Sequence, residues 1–403
     1  MATPPPPTDG EVDVDEGLSL PTDAFVEVLL RLPPSCRLWA RLVCRHWRDV
    51  IDARTPRIPP PKVLAFFSND KTASVYVVDD LERGRGREVW RISAKESRIR
   101  YVAAVGTCNG LLCLCDEDKP GGAIALLNPA TGKTLRVPPL PVSYRRLYGY
   151  AKDYAFGFVP ATGAYKLLRV PCHGNMTGGF SVLQALTLGD AAWRDVDVAP
   201  HDSCRFGTGV VSVGGAAYWV TEGVEERVVL FDLRDERVAF DAPLPEGAGP
   251  GKGWGSHCHL VEFHGRLGLA VTAYRTPADK TELWVLGDGA GGGAQGWSKR
   301  YSVRVEGVGH RLAEPHFAHV GEYVLTVQSE GREKSHLHAH RMRDAGRKLL
   351  SSEVRSVRIE EPGTALSSFK EPGCLRTFAY VETTEPLSVY KVDRWIKGGS
   401  IRK

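Results

Sequence analysis

The stretch "CNGLLCLCDEDKPGGAIALLNPATGKTLRVPPLP", Cys108 to Pro141, alternates short apolar runs with clusters of Asn, Gly, Pro and Asp. That is the grammar of strands and tight turns: a strand, a Gly-rich turn, a strand, an "NPATG" turn, and a strand closing on prolines. A second copy spans Gly209 to Pro245, "GVVSVGGAAYWVTEGVEERVVLFDLRDERVAFDAPLP", with "LFDLRDER" in place of "LLNPATGK" and "DAPLP" in place of "VPPLP". Weaker units are "YAFGFVPATGAYKLLRV", "HLVEFHGRLGLAVTAY" with "TELWVLGD", "PHFAHVGEYVLTVQ" and "TFAYVETTEPLSVYK". Units of roughly 40 to 50 residues match the period of propeller blades, and stacking is needed because one blade cannot bury both of its faces. The expected fold is therefore mainly β, a β-propeller of about six to eight blades. "KVLAFF" near its start and "EPLSVYK" near its end are expected to share the closing blade.

Upstream the pattern changes. In "LPTDAFVEVLLRLPPSCRLWARLVCRHWRDVID", Leu20 to Asp52, the residues Phe25, Val28, Leu29 and Leu32 recur at helical spacing. A first helix is predicted from about Thr22 to Arg31: Pro21 suits a helix start, Asp23 suits its dipole, and Pro33 and Pro34 stop it. Trp39, Leu42, Val43, Trp47, Val50 and Ile51 predict a second amphipathic helix ending near Ala53, with Arg37, Arg41, Arg45 and Arg48 as a solvated basic stripe. The domain plan is a Pro-rich, acidic, disordered tail (1–17), a three-helix module (18–54), a stiff Pro-rich linker (55–62), the β domain (63–395) and a basic tail (396–403).

Composition narrows the function. A net charge of +4 over 403 residues gives no clustered nucleic-acid footprint, and no apolar run approaches a membrane span. Nine cysteines, with no export signal at the start of this sequence, read as free thiols in the cytoplasm and/or nucleus. His336, His338 and His340 in "HLHAH" share one face of a strand, but successive same-face positions stand about 7 Å apart, too far to close on one ion. "HCH" at 257–259 alternates faces and is weaker still. "GPGKGWGS" (249–256) lacks the phosphate-loop spacing, and "GDGAGGGAQG" (287–296) reads as a flexible loop. Cys113 and Cys115 read as buried small hydrophobes, and the sequon at Asn175 as unused. Of Trp193, Trp219, Trp254, Trp284 and Trp297, most are expected to pack between blades. No catalytic residue, cofactor or metal is expected.

The helical block resembles the F-box: Leu20-Pro21 opening the first helix, then Leu29, "RLP" at Arg31 to Pro33, and Val43-Cys44 followed by Trp47. It departs from the plant F-box pattern at Arg37, where leucine is usual, and at Ala40, where a larger apolar residue is common. "CNGLLCL", "LLNPATGKTLRVPPLP" and "AFGFVPATGAYKLLRV" resemble the F-box-associated domain of plant F-box proteins. The resemblance implies a substrate-receptor subunit of a Skp–cullin–F-box ubiquitin ligase. Its Skp-type adaptor, and through it a cullin, would be held by Leu20, Pro21, Phe25, Leu29, Leu32, Pro33, Val43, Cys44 and Trp47, while the β domain recruits an unidentified target through unassigned residues. Two rival expectations are a propeller enzyme, which needs several carboxylates or imidazoles converging at the central opening, and an adaptor-bound scaffold that degrades nothing.

Overall fold

A computed structural model of the chain describes residues 21–32, 37, 40, 43–55, 62–93, 101–141, 149–172, 179–201, 203–205, 207–222, 225–245, 256–273, 279–287, 296–305, 310–318, 323–330, 334–342, 355–359, 364–369 and 374–392. They fall into two units, Met1–Pro59 and Pro60–Lys403. The expected tails 1–17 and 396–403, and residues 56–61 of the expected linker, lie outside the described residues.

The second unit is a six-bladed propeller. Blade one holds β1 (Lys62–Ser68), β2 (Thr72–Asp80) and β3 (Arg85–Ser93). Blade two holds β4 (Val102–Cys108), β5 (Leu111–Asp116), β6 (Ala123–Asn128) and β7 (Lys133–Arg136). Blade three follows a short 3-10 turn (Tyr150–Asp153) with β8 (Tyr154–Val159), β9 (Ala164–Arg169), β10 (Phe180–Thr187) and β11 (Arg194–His201). Blade four is β12 (Val211–Val213), β13 (Ala216–Val220), β14 (Arg227–Asp232) and β15 (Arg237–Pro243). Blade five is β16 (Ser256–Phe263), β17 (Arg266–Ala273), β18 (Asp279–Leu286) and β19 (Trp297–Val305). Blade six begins with β20 (His310–Ala318), β21 (Tyr323–Glu330) and β22 (Lys334–Arg341). The chain then places β23 (Arg355–Ile359) parallel to β19 on the outer edge of blade five, and returns to complete blade six with β24 (Thr364–Phe369).

The ring is closed by β25 (Cys374–Tyr380), antiparallel to β1 with Val63 opposite Ala379 and Phe66 opposite Arg376. The strands β25, β4, β8, β12, β16 and β20 meet in that order around the centre. This corrects one expectation: the closing strand is "CLRTFAY", and "EPLSVYK" instead forms a 3-10 turn (Leu387–Tyr390) beyond it. In "EPLSVYK" Pro386 has no N–H to give a sheet ladder, and no strand pairs this segment among the described residues; its apolar Leu387 seats in a core between blades.

Period-two alternation explains why these strands are apolar throughout. Along β5, Leu111, Cys113 and Cys115 face the core shared with blade three, while Leu112 and Leu114 face the core shared with blade one. Along β1, Leu64 and Phe66 join that second core, while Val63, Ala65 and Phe67 pack against blade six. Among the described residues one such core lies between each pair of neighbouring blades. Trp193 and Trp219 are buried between blades, and the Trp193 indole N–H donates to Pro138 O at 2.8 Å across blades two and three. Trp297 does the same to Pro243 O at 2.9 Å across blades four and five. Trp284 packs half-buried in the core between blades four and five, and Trp254 lies outside the described residues.

The repeated turn motif has a shared mechanism. Asp80 Oδ1 accepts from the N–H groups of Glu82 and Arg83, Asn128 Oδ1 from Ala130 and Thr131, and Asp232 Oδ1 from Arg234 and Asp235. A short polar side chain at the end of the third strand thus satisfies the turn's own backbone donors. Asn128 also ties the chain after β25 across blade two, its Nδ2 donating to Thr383 O and Glu385 O at 3.1 Å each. Leu387 is then buried in the core between blades two and three, and Tyr390 meets Tyr165 of blade three edge-on at 5.9 Å.

The reading of all nine cysteines as free thiols is corrected. Cys172 and Cys204 form a disulfide with Cα atoms 4.5 Å apart, both fully buried between blades three and four. The bridge forms because Cys204 pairs with Thr221 of blade four beside the chain leaving β9, an adjacency that no local spacing encodes. Thiol titration of the unfolded protein is accordingly expected to find two fewer reactive groups before reduction than after; equal counts would refute the bridge.

The first unit contains α1 (Thr22–Arg31), as the spacing predicts, and α2 (Arg45–Arg54). The expected single helix through Arg37 and Val50 is broken at Cys44, which is extended and whose sulfur accepts the Trp47 N–H of the next turn at 3.5 Å. A side-chain acceptor at that position starts a new helix. Phe25, Leu29, Ala40, Val50 and Ile51 form its small core, and Arg54 pairs with Asp23 at 2.7 Å.

Candidate functional site

The helical unit carries more apolar surface than it buries. On α1 the buried stripe is Phe25 and Leu29; at about 100° per residue, Val28 lies about 60° to one side of Phe25 and Leu30 about 100° to the other side of Leu29. Val28 is 49% exposed, Leu30 43% and Val43 63%. Only Tyr101 and Val389 match them among the large apolar side chains of the described residues, so three of five such side chains crowd into the smaller unit. Val28 and Leu30 stand about 160° apart around α1, so they are separate exposed apolar positions rather than one contiguous face.

Of the residues expected to hold a partner, Pro21, Val43 and Cys44 are exposed, and Leu32 and Trp47 half-buried. Phe25 and Leu29 are buried in the unit's own core, with the Phe25 and Trp47 rings 4.8 Å apart. Leu20 and Pro33 lie outside the described residues. Val28 was legible as an apolar position, whereas Leu30 sits off the periodic stripe and only the exposure finds it.

The basic stripe is corrected at one position. Arg45 and Arg48 are exposed, but Arg37 is only 9% exposed, and its Nε and Nη1 are buried with no hydrogen-bond partner among the described residues. Ala40, three residues on, is buried as well. Arg41 lies outside the described residues.

The propeller encloses a central cavity of about 160 Å³, walled by β4, the turn before β8, and parts of β8, β12, β16 and β25. Its polar side chains are Thr107, Lys152, Thr208, Ser212, His259, Glu262, Arg376 and Thr377. Lys152 Nζ donates to Gly207 O at 3.4 Å; Arg376 donates to Ala104 O and lies over the Phe378 ring at 5.2 Å. Glu262 accepts the Gly265 N–H at 2.6 Å. Its side chain is open to solvent inside the channel yet ringed by protein, and this enclosure raises its carboxyl above the ordinary range, against the lowering effect of the Gly265 N–H.

The propeller-enzyme expectation asked for several converging carboxylates or imidazoles. Among the described residues the cavity wall brings together one of each, Glu262 and His259. His336, His338 and His340 stand on β22 with successive ring centroids 6.1 and 6.3 Å apart, and His340 Nε2 lies 2.7 Å from Thr326 Oγ1. No cluster of three or more His, Cys, Asp or Glu that could hold a metal occurs among the described residues. Cys113 and Cys115 are fully buried, and burial pushes both thiols well above their usual range. Within the glycine-rich stretches, residues 249–255 and 288–295, like Asn175 and the His257 side chain, lie outside the described residues.

Comparison with known proteins gives two family matches: an F-box domain over residues 18–58 and an F-box associated beta propeller domain over residues 87–336. Curated relatives include an F-box protein of Arabidopsis thaliana, 26% identical over 72% of this chain and 74% of that protein. Another from the same plant is 24% identical over 76% of each chain, and a third is 25% identical over 68% of this chain and 64% of its own length.

Proposed function

Because this chain belongs to the F-box associated beta propeller family and carries an F-box domain ahead of its propeller, we propose that it is a substrate-receptor subunit of a Skp–cullin–F-box ubiquitin ligase. The helical unit holds a Skp-type adaptor, and through it a cullin, while the propeller holds a target protein. The contribution to catalysis is positional: a target lysine is kept at high effective concentration near a ubiquitin-charged enzyme supplied by other subunits. No side chain of this chain then takes part in bond making. The cytoplasm and/or nucleus is proposed as the compartment; imaging a fluorescent fusion tests it, and export from the cell would refute it.

The observation that carries this reading is the exposure of Val28, Leu30 and Val43 on a unit that has little core of its own. A buried apolar side chain contributes roughly 1.5–3 kcal/mol, so a partner that covers Val43 or Val28 gains a driving force of that order. Val43→Asp and Val28→Asp are each expected to weaken binding of a purified Skp-type adaptor at least about tenfold, a change of about 1.4 kcal/mol. The same variants should leave the unit folded, since neither side chain lies in its core. Calorimetric titration against the full chain checks this. Wild-type chain that ignores the adaptor, while another F-box protein binds it, would sink the proposal.

A further inference from the structure

One strand lining the propeller's central cavity is irregular. The register of β4 against β5 slips between Ala104 and Gly106, a bulge in a wall strand. Bulges re-aim the backbone and recur beside binding sites. A Cβ added at Gly106 would meet no atom within 4 Å, so the bulge faces free space, and Gly106 lies on the cavity wall.

Charge around that space is uneven. Two permanent cations line it, Lys152 beside blade three and Arg376 from blade one, each steadied by a backbone carbonyl. The hydroxyls of Thr107 on β4, Ser212 on β12 and Thr208 in the turn before β12 also line it, donating to the backbone carbonyls of Ala379, Ala216 and Arg205 respectively. Among the described residues Glu262 is the one carboxylate on the wall, and it accepts the N–H of Gly265 in its own hairpin. Cations from blades one and three thus line one space, where a charge-assisted hydrogen bond is stronger than a neutral one. The cavity of about 160 Å³ has room for on the order of ten waters.

We propose that the central cavity is a binding site for a small oxyanion, a carboxylate or phosphate compound of the size of citrate or smaller, held by Lys152 and Arg376 and admitted by the bulge at Gly106. The inference stands on the cavity alone and does not depend on adaptor binding.

The test is calorimetric titration of the full chain with inorganic phosphate and with citrate at constant ionic strength, with glycerol as a neutral control. Saturable binding of either anion is expected, and which one binds assigns the class. Lys152→Met should weaken it at least about tenfold, as loss of a charged donor does. Gly106→Leu should abolish it by filling the space, and a thermal melt checks that the variant folds, the added Cβ itself meeting no atom within 4 Å. Absence of saturable binding by both anions, equal binding of glycerol, or a folded Gly106→Leu chain that binds like the wild type would each overturn the proposal.

Discussion

Arg169→Leu is expected to destabilise the propeller by about 3–5 kcal/mol, the usual cost of breaking a buried ion pair from one side. Arg169 ends β9, and its Nη2 lies 3.4 Å from Asp153 Oδ2, with side-chain exposures of 4% and 0%. Its Nη1 donates to Gln184 Oε1 at 2.8 Å. Burial draws the guanidinium pKa down to about 10, which still leaves Arg169 cationic at neutral pH. Leucine would leave the Asp153 carboxylate without its counter-charge inside the protein, beside the point where Val170 N–H meets Asp153 O. Urea unfolding checks the magnitude, and a loss below about 1 kcal/mol would place the pair among those that contribute little. Adding Asp153→Asn to Arg169→Leu should recover part of the loss, because the stranded charge then disappears.

Gly110→Ala is expected to cost about 2–4 kcal/mol, combining a left-handed backbone with overpacking. Gly110 has φ +80°, and a Cβ there would stand 2.3 Å from Val381 O and 2.7 Å from Thr383 Cγ2. Both contacts belong to the chain just past the closing strand, so this segment must lift off the turn. The effect should appear as increased proteolysis near Thr383 as well as a lower unfolding midpoint. A stable variant with unchanged cleavage would show that the segment does not rest on this turn.

These two sites mark the limits of what sequence alone conveys. The turn at Asn109-Gly110 and the "NPATG" turn are legible as turns because their φ and side-chain requirements are local. What presses on them is not, since Asn128 meets partners 255 and 257 residues away. The blade rhythm is legible because each strand is apolar on both faces, yet the strand that completes the ring is Cys374–Tyr380, ahead of the expected "EPLSVYK", which begins at Glu385. "CLRTFAY" places Arg376 among its apolar positions, a weak strand signal until the channel wall is seen. In the helical unit the spacing of Phe25, Val28, Leu29 and Leu32 and the family pattern at Val43 are legible, while exposure alone singles out Leu30. Arg37 followed the periodicity of a solvated stripe and proved buried, because the helix breaks at Cys44 and phases before and after that break are unrelated.

The closure of blade one has a consequence for how the protein is made. Lys62 on β1 and Glu382 just past the closing strand meet at 3.1 Å across 320 residues of chain. At roughly 5–20 residues per second, translation leaves β1 waiting on the order of tens of seconds for its inner neighbour. Through that interval an apolar strand edge stands open on the nascent chain, a template for the wrong partner. A premature stop codon anywhere ahead of Cys374 would therefore leave the ring unclosed, so late truncations should be nearly as harmful as early ones.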